Sequence, residues 1–94
     1  MRLEINKEMQ RKLKSRAHSL EPVVMLGNKG LTDAVIAEIN VALNAHELIK
    51  VKLRGMEKEE RQVAIETITD QLNAAAIGSI GFVAIFYRPR PAEE

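Results

Sequence analysis

Apolar residues recur along this chain with two periods, and each change of period marks a new element. Ile5, Met9, Leu13, Ala17 and Leu20 lie three or four residues apart, which predicts a helix from about Asn6 to Ser19 with these side chains on one face. Lys7, Arg11, Lys14 and His18 repeat at the same interval on the opposite face. Glu21-Pro22 should stop that helix, because the residue before proline is pushed toward extended geometry. Val23 to Leu26 is a continuous apolar run of strand length. It is expected to form a short buried strand, covered on both sides or set in a parallel sheet. A second helix follows from Thr32, a suitable N-cap, to about Ala45, with Val35, Ile36, Ile39 and Leu43 facing inward. From Glu47 to Arg54 the period becomes two: Ile49, Val51 and Leu53 alternate with Lys50, Lys52 and Arg54, giving a strand with one apolar and one basic face. Gly55 ends it. A third helix, about Lys58 to Asn73, turns Ala64, Ile65, Ile68 and Leu72 inward and carries Glu57, Glu59, Glu60, Glu66 and Asp70 outside. Ala74 to Ser79 and Phe82 to Tyr87 read as two closing strands joined near Gly78–Gly81, the second much richer in strand-forming residues. Arg88-Pro89-Arg90-Pro91 stops it.

The resulting order, α-β-α-β-α-β-β, predicts an α/β (α+β) domain: a mixed sheet with at least two helices packed on one face. The first two strands, joined by a helix, should pair in parallel through a right-handed crossover. Ninety-four residues make one domain, 1–94, with its core over about 5–89 and a frayed tail at 90–94. The absence of cysteine excludes disulfides, thiolate metal sites and thiol nucleophiles. The two histidines stand in separate elements, His18 reading as a surface residue and His46 as a capping or packing one. With no nucleophile–base set, no helical His-Glu metal motif and no Gly-Lys-Ser/Thr, the chain is not expected to be an enzyme, nor to need a cofactor or a metal. Its first residues lack an apolar signal core, and the longest apolar stretch, Ala74 to Tyr87, is too short for a membrane helix. A cytoplasmic protein without a membrane partner is expected.

Charge singles out one end of the chain. The net charge is only +1, but residues 1–30 carry seven Lys/Arg against three Glu, whereas residues 31–94 carry seven against ten acidic residues. The basic third contains Leu26-Gly27-Asn28-Lys29-Gly30-Leu31-Thr32, a Gly-x-x-Gly loop between a strand and a helix. Glycines let backbone turn sharply and let a partner approach closely, and unpaired N–H groups at a helix start favour an anion. This is a phosphate seat in outline. Alone, Gly-x-x-Gly is equally a plain strand-to-helix turn. The basic face of the first helix and the row Lys50, Lys52, Arg54 could extend the seat into a surface for a polyanion, or could simply be solvated faces. The acidic side of the third helix should lie away from such a surface.

Three blocks of the chain resemble a known family. Leu20-Glu21-Pro22-Val23-Val24-Met25-Leu26-Gly27-Asn28-Lys29-Gly30-Leu31-Thr32 looks like the signature of the CRM (chloroplast RNA splicing and ribosome maturation) domain family, and Ala45-His46-Glu47-Leu48-Ile49-Lys50-Val51-Lys52 and Phe86-Tyr87-Arg88-Pro89 resemble its second and third blocks. A chain made of one such domain is similar to the stand-alone bacterial, YhbY-like members. The resemblance implies an RNA-binding domain with a fold like the C-terminal domain of the third bacterial initiation factor, and association with precursors of the large ribosomal subunit. It implies RNA contact by Gly27, Asn28, Lys29 and Gly30, clamping backbone as the corresponding loop of KH domains does, and it matches a basic first helix to Arg11, Lys12, Lys14 and Arg16. Phe86 departs from the pattern, standing where an aliphatic residue is expected.

The residues and the resemblance together point to a non-catalytic RNA-binding protein that helps assemble the large ribosomal subunit. Its candidate contacts are Gly27, Asn28, Lys29 and Gly30 in the loop, Lys7, Arg11, Lys12, Lys14 and Arg16 on the first helix, Lys50, Lys52 and Arg54 on the second strand, and Arg88 after the last. Phe82, Phe86 and Tyr87, placed in a strand, should leave little for base stacking. The alternative is an adaptor that docks on ribosomal proteins of a precursor particle without touching RNA, a reading the low net charge favours.

Overall fold

The structure, a computed structural model, describes residues 3–90. Helix α1 (Lys7–Ala17) starts at Asn6, whose side-chain oxygen accepts the Met9 N–H at 2.8 Å. Strand β1 (Pro22–Met25) leads through the glycine loop to α2 (Asp33–His46), and Thr32 caps that helix by accepting the Val35 N–H at 3.2 Å. Then come β2 (Leu48–Lys52), α3 (Lys58–Leu72), β3 (Ala75–Ile80) and β4 (Val83–Tyr87). A reciprocal capping box opens α3, with Glu57 accepting a backbone N–H of the first turn and Glu60 reaching back to the Glu57 N–H at 3.1 Å.

The strands form one sheet in the order β1-β2-β4-β3. β1 and β2 are parallel, as the crossover through α2 requires, while β4 runs antiparallel to both β2 and β3. Strand alternation sends Ile49, Val51, Ala84 and Phe86 to one face, where Ile39 and Leu43 of α2 and Ile68 of α3 close a core around them. Phe86 is fully buried there, so the departure from the family pattern is absorbed as packing. Leu48, Ala75, Ile77 and Ile85 face the other way and meet Leu13 and Ala17 of α1. The helix α1 therefore packs on the opposite face of the sheet from α2 and α3.

Several expectations change. β1 is not covered on both sides: it is an edge strand in which Val24 is buried, as is Leu26 just after it, while Val23 and Met25 stay 48% and 52% exposed. An unbroken apolar run cannot distinguish these cases, because only the neighbours decide which face is closed. The stripe on α1 is narrower than its periodicity suggests, with Leu13 and Ala17 buried and Met9 and Leu20 left exposed. The last strand begins at Val83, not Phe82: Gly81, at φ +59°, and Phe82 form the two-residue turn of the β3–β4 hairpin. Of the expected tail, Arg90 is held, its backbone N–H bonding to the Glu47 carboxylate at 2.9 Å; residues 91–94 lie outside the described residues.

Candidate nucleic-acid interface

Because β1 and β2 are parallel, the loops that leave their C-terminal ends meet at the same edge of the sheet. The first is the glycine loop. Leu26 N–H bonds to the Lys52 carbonyl at 3.0 Å and fixes the loop's entry. Gly30 N–H returns to the Gly27 carbonyl at 3.0 Å, so Asn28 and Lys29 stand exposed at the tip of a closed turn. Gly30 has φ +73°, a conformation open mainly to glycine, whereas Gly27 needs no such freedom. A methyl group at Gly27 would meet nothing within 4 Å. What Gly27 offers is bare backbone facing open space.

The second loop is Arg54-Gly55-Met56. Between the two lies an open groove of about 580 Å³, lined by residues of the glycine loop, by Arg54 and Met56, and by Glu60. Arg54 leans over Met25, its guanidinium 3.7 Å from the sulfur, which brings a second cation beside Lys29. Lys29 has no ion-pair partner among the described residues. The acidic helix is thus not remote from this edge, as its sign suggested. Its first turn borders the groove, since Gly55 leads β2 into α3 within a few residues, and the Glu60 carboxylate is turned to the Glu57 N–H. The start of α2 is also less open than a bare helix end. Thr32 takes the Val35 N–H, and Asp33 places a negative charge in the first turn.

The remaining candidates fall into two groups. Lys50 and Lys52 lie on the α1 side of the sheet: the Lys50 row runs through buried Ile85, which packs with α1, to Gly78 under the Lys14 side chain, whereas the Lys52 row runs through Val83 to exposed Ile80. Same-face neighbours on a strand sit about 7 Å apart, so Lys50 and Lys52 lead stepwise toward Arg54 and the loop. The Lys50 ammonium bonds to the Leu20 carbonyl at 2.9 Å, tying the chain after α1 to β2. On α1, Lys7, Arg11, Lys12, Lys14 and Arg16 are all exposed. Lys14 lies across the sheet, its side chain 3.4 Å from where a methyl group on Gly78 would stand, while Lys12 pairs with Glu8 at 3.6 Å in full solvent, a contact of little energy.

Arg88 does not join this surface. Its guanidinium bonds to the Leu72 carbonyl at 2.9 Å, the Asn40 carbonyl at 3.2 Å and the Asn44 side-chain oxygen at 2.8 Å, fastening the ends of α3 and α2 to the end of β4. It is a clamp of the fold, and its position beside a proline in a basic tail gave no hint of that. The periodicity missed a further residue. Phe82, assigned to a strand, is 53% exposed at the hairpin tip, and the Arg61 guanidinium lies over its ring at 5.1 Å from the centroid.

Among the described residues no group of three or more His, Asp or Glu could hold a metal ion, and no helix is long and apolar enough to cross a membrane. The site is a backbone-lined, cation-flanked groove at the carboxyl edge of a small mixed sheet with helices on both faces. The CRS1/YhbY (CRM) domain model matches residues 5–88, and the chain belongs to that family. It is 52% identical over 77 residues to an RNA-binding protein of Haemophilus influenzae, covering 82% of this chain and 78% of the relative. It is 39% identical over 87 residues to a Pseudomonas aeruginosa protein named as a probable RNA-binding protein, covering 93% and 84%. The solution structure of a hypothetical protein of Staphylococcus aureus, named as a putative RNA-binding protein, superposes with a TM-score of 0.77 at 27% identity, covering 97% of this chain and 93% of the other.

Proposed function

We propose that this protein binds RNA without catalysis, holding the sugar-phosphate backbone in the groove between the Gly27–Gly30 loop and Arg54, and that it serves assembly of the large ribosomal subunit. The observation that carries the reading is the loop itself. Gly27 presents backbone to open space, and Lys29 and Arg54 stand beside it, Lys29 without an ion-pair partner among the described residues. Lys52, Lys50 and the exposed cations of α1 add positive charge on the α1 side of the sheet. Contacts of this kind orient a partner without reading its sequence, so selectivity would come from RNA shape and from neighbouring ribosomal proteins. The names borne by the relatives support the RNA partner, and the family's link to ribosome maturation supports the assembly role.

The test is the affinity of the purified protein for large-subunit ribosomal RNA fragments, with Lys29→Gln beside Val41→Glu. Both variants shift the net charge by one unit in the same direction, and Val41 is 66% exposed on α2, outside the residues that line the groove. The proposal predicts weaker binding for Lys29→Gln and near wild-type binding for Val41→Glu. Equal losses would reduce the effect to net charge.

A further inference from the structure

We infer that Phe82, backed by Arg61, is a stacking shelf for one unpaired base of the RNA whose backbone lies in the adjacent groove. The inference rests on the RNA reading above and adds to it the kind of RNA bound: a strand with at least one base turned out of its stack. Four observations carry it. Phe82 occupies the second position of a two-residue hairpin turn, where polar or small residues are the norm, yet its large apolar ring is half exposed. Its backbone is tied to β2, because the Phe82 carbonyl accepts the Leu53 N–H, and Gly81 takes the left-handed φ of +59° that the tight turn uses. The Arg61 guanidinium lies over one face of the ring and is itself anchored by a 2.8 Å hydrogen bond to the Met56 carbonyl. The ring is therefore held in place with one face packed, and ring and cation together suit a base and its phosphate. Finally, Phe82 and Arg61 are bonded to the two ends of the segment Leu53 to Met56, which supplies Arg54, Gly55 and Met56 to the lining of the groove. A strand crossing that segment would carry its phosphate past Arg54 and a base toward Phe82.

The experiment compares a ten-nucleotide oligouridylate with an abasic strand of equal length and charge, at one salt concentration, for wild type, Phe82→Ala, Phe82→Tyr and Lys29→Gln. The inference predicts that wild type prefers the base-bearing strand by about tenfold or more, in the range expected for one base–aromatic stack. Phe82→Ala should lose that preference while keeping its affinity for the abasic strand, and Phe82→Tyr, which retains the ring, should keep both. Lys29→Gln should weaken binding to both strands alike. Thermal unfolding of Phe82→Ala checks that an exposed turn residue can be removed without loss of the fold. A wild type that binds both strands equally, or a Phe82→Ala variant that keeps the preference, overturns the shelf and leaves the backbone groove standing. Wild type that binds neither strand nor ribosomal RNA overturns both.

Discussion

Replacing Arg88 with alanine separates a structural cation from a binding one. The guanidinium makes three hydrogen bonds, at 2.8, 2.9 and 3.2 Å, and two of them reach α2 while the third satisfies the carbonyl of Leu72, the last residue of α3. That helix has no basic residue in its own last turn, so Arg88 supplies the positive charge its C-terminus lacks. Hydrogen bonds to a charged group contribute about 1.5–3 kcal/mol each, but bonds sharing one group are not additive and this side chain is half-buried. The clamp as a whole should stabilise the fold by ~2–4 kcal/mol, a large part of the ~5–15 kcal/mol typical of a domain. At about 4–8 °C per kcal/mol for a chain of this size, Arg88→Ala should lower Tm by roughly 10–30 °C. Arg88→Lys should recover only part, because one ammonium cannot span three acceptors in the geometry of a planar fork. Circular dichroism melts give the shift, and RNA affinity measured well below the variant's Tm should stay near wild type. An unchanged Tm together with weakened RNA binding would refute this assignment and return Arg88 to the RNA surface.

Two further predictions concern the groove. Gly27→Ala should leave Tm within a degree or two, since the added methyl meets nothing within 4 Å, yet weaken RNA binding by holding the backbone away; Gly30→Ala should itself destabilise by ~1–2 kcal/mol because its φ is +73°. Equal melting temperatures for the two variants would contradict the loop geometry. Glu60→Gln keeps an oxygen for the Glu57 N–H while removing a negative charge from the groove, so RNA should bind about two- to fivefold tighter at low salt, an effect a filter-binding titration resolves.

The helices and the order of elements were legible because their signals are local. Periods of three and four residues mark α1, α2 and α3, alternation marks β2, and Asn6 and Thr32 cap helices where side chains of that kind are expected to. Even the parallel pairing of β1 with β2 followed from the intervening helix. What escaped depends on contacts between distant parts of the chain. Val23 and Met25 are as apolar as Val24, and only the edge position of β1 leaves them exposed. Arg88 is a tail cation in sequence and a clamp in space, because Asn40, Asn44 and Leu72 come to it from 48, 44 and 16 residues away. Glu60 approaches the glycine loop only because parallel strands deliver their following loops to one edge. The candidate site was partly visible in the same sense. The loop and its lysine stand in one short stretch, whereas Arg54 as its partner across the groove, and Phe82 with Arg61 behind it, required the fold.

The most direct test of the account is the salt dependence of binding to a single-stranded large-subunit ribosomal RNA fragment, wild type beside Lys29→Gln. If Lys29 pairs with a phosphate, log K should fall steeply with log salt for wild type, and the variant should bind more weakly with a slope shallower by about 0.7, the signature of one lost phosphate contact on a single strand. Parallel lines of equal height, or binding by wild type that ignores salt, would show that the loop is only a turn between β1 and α2.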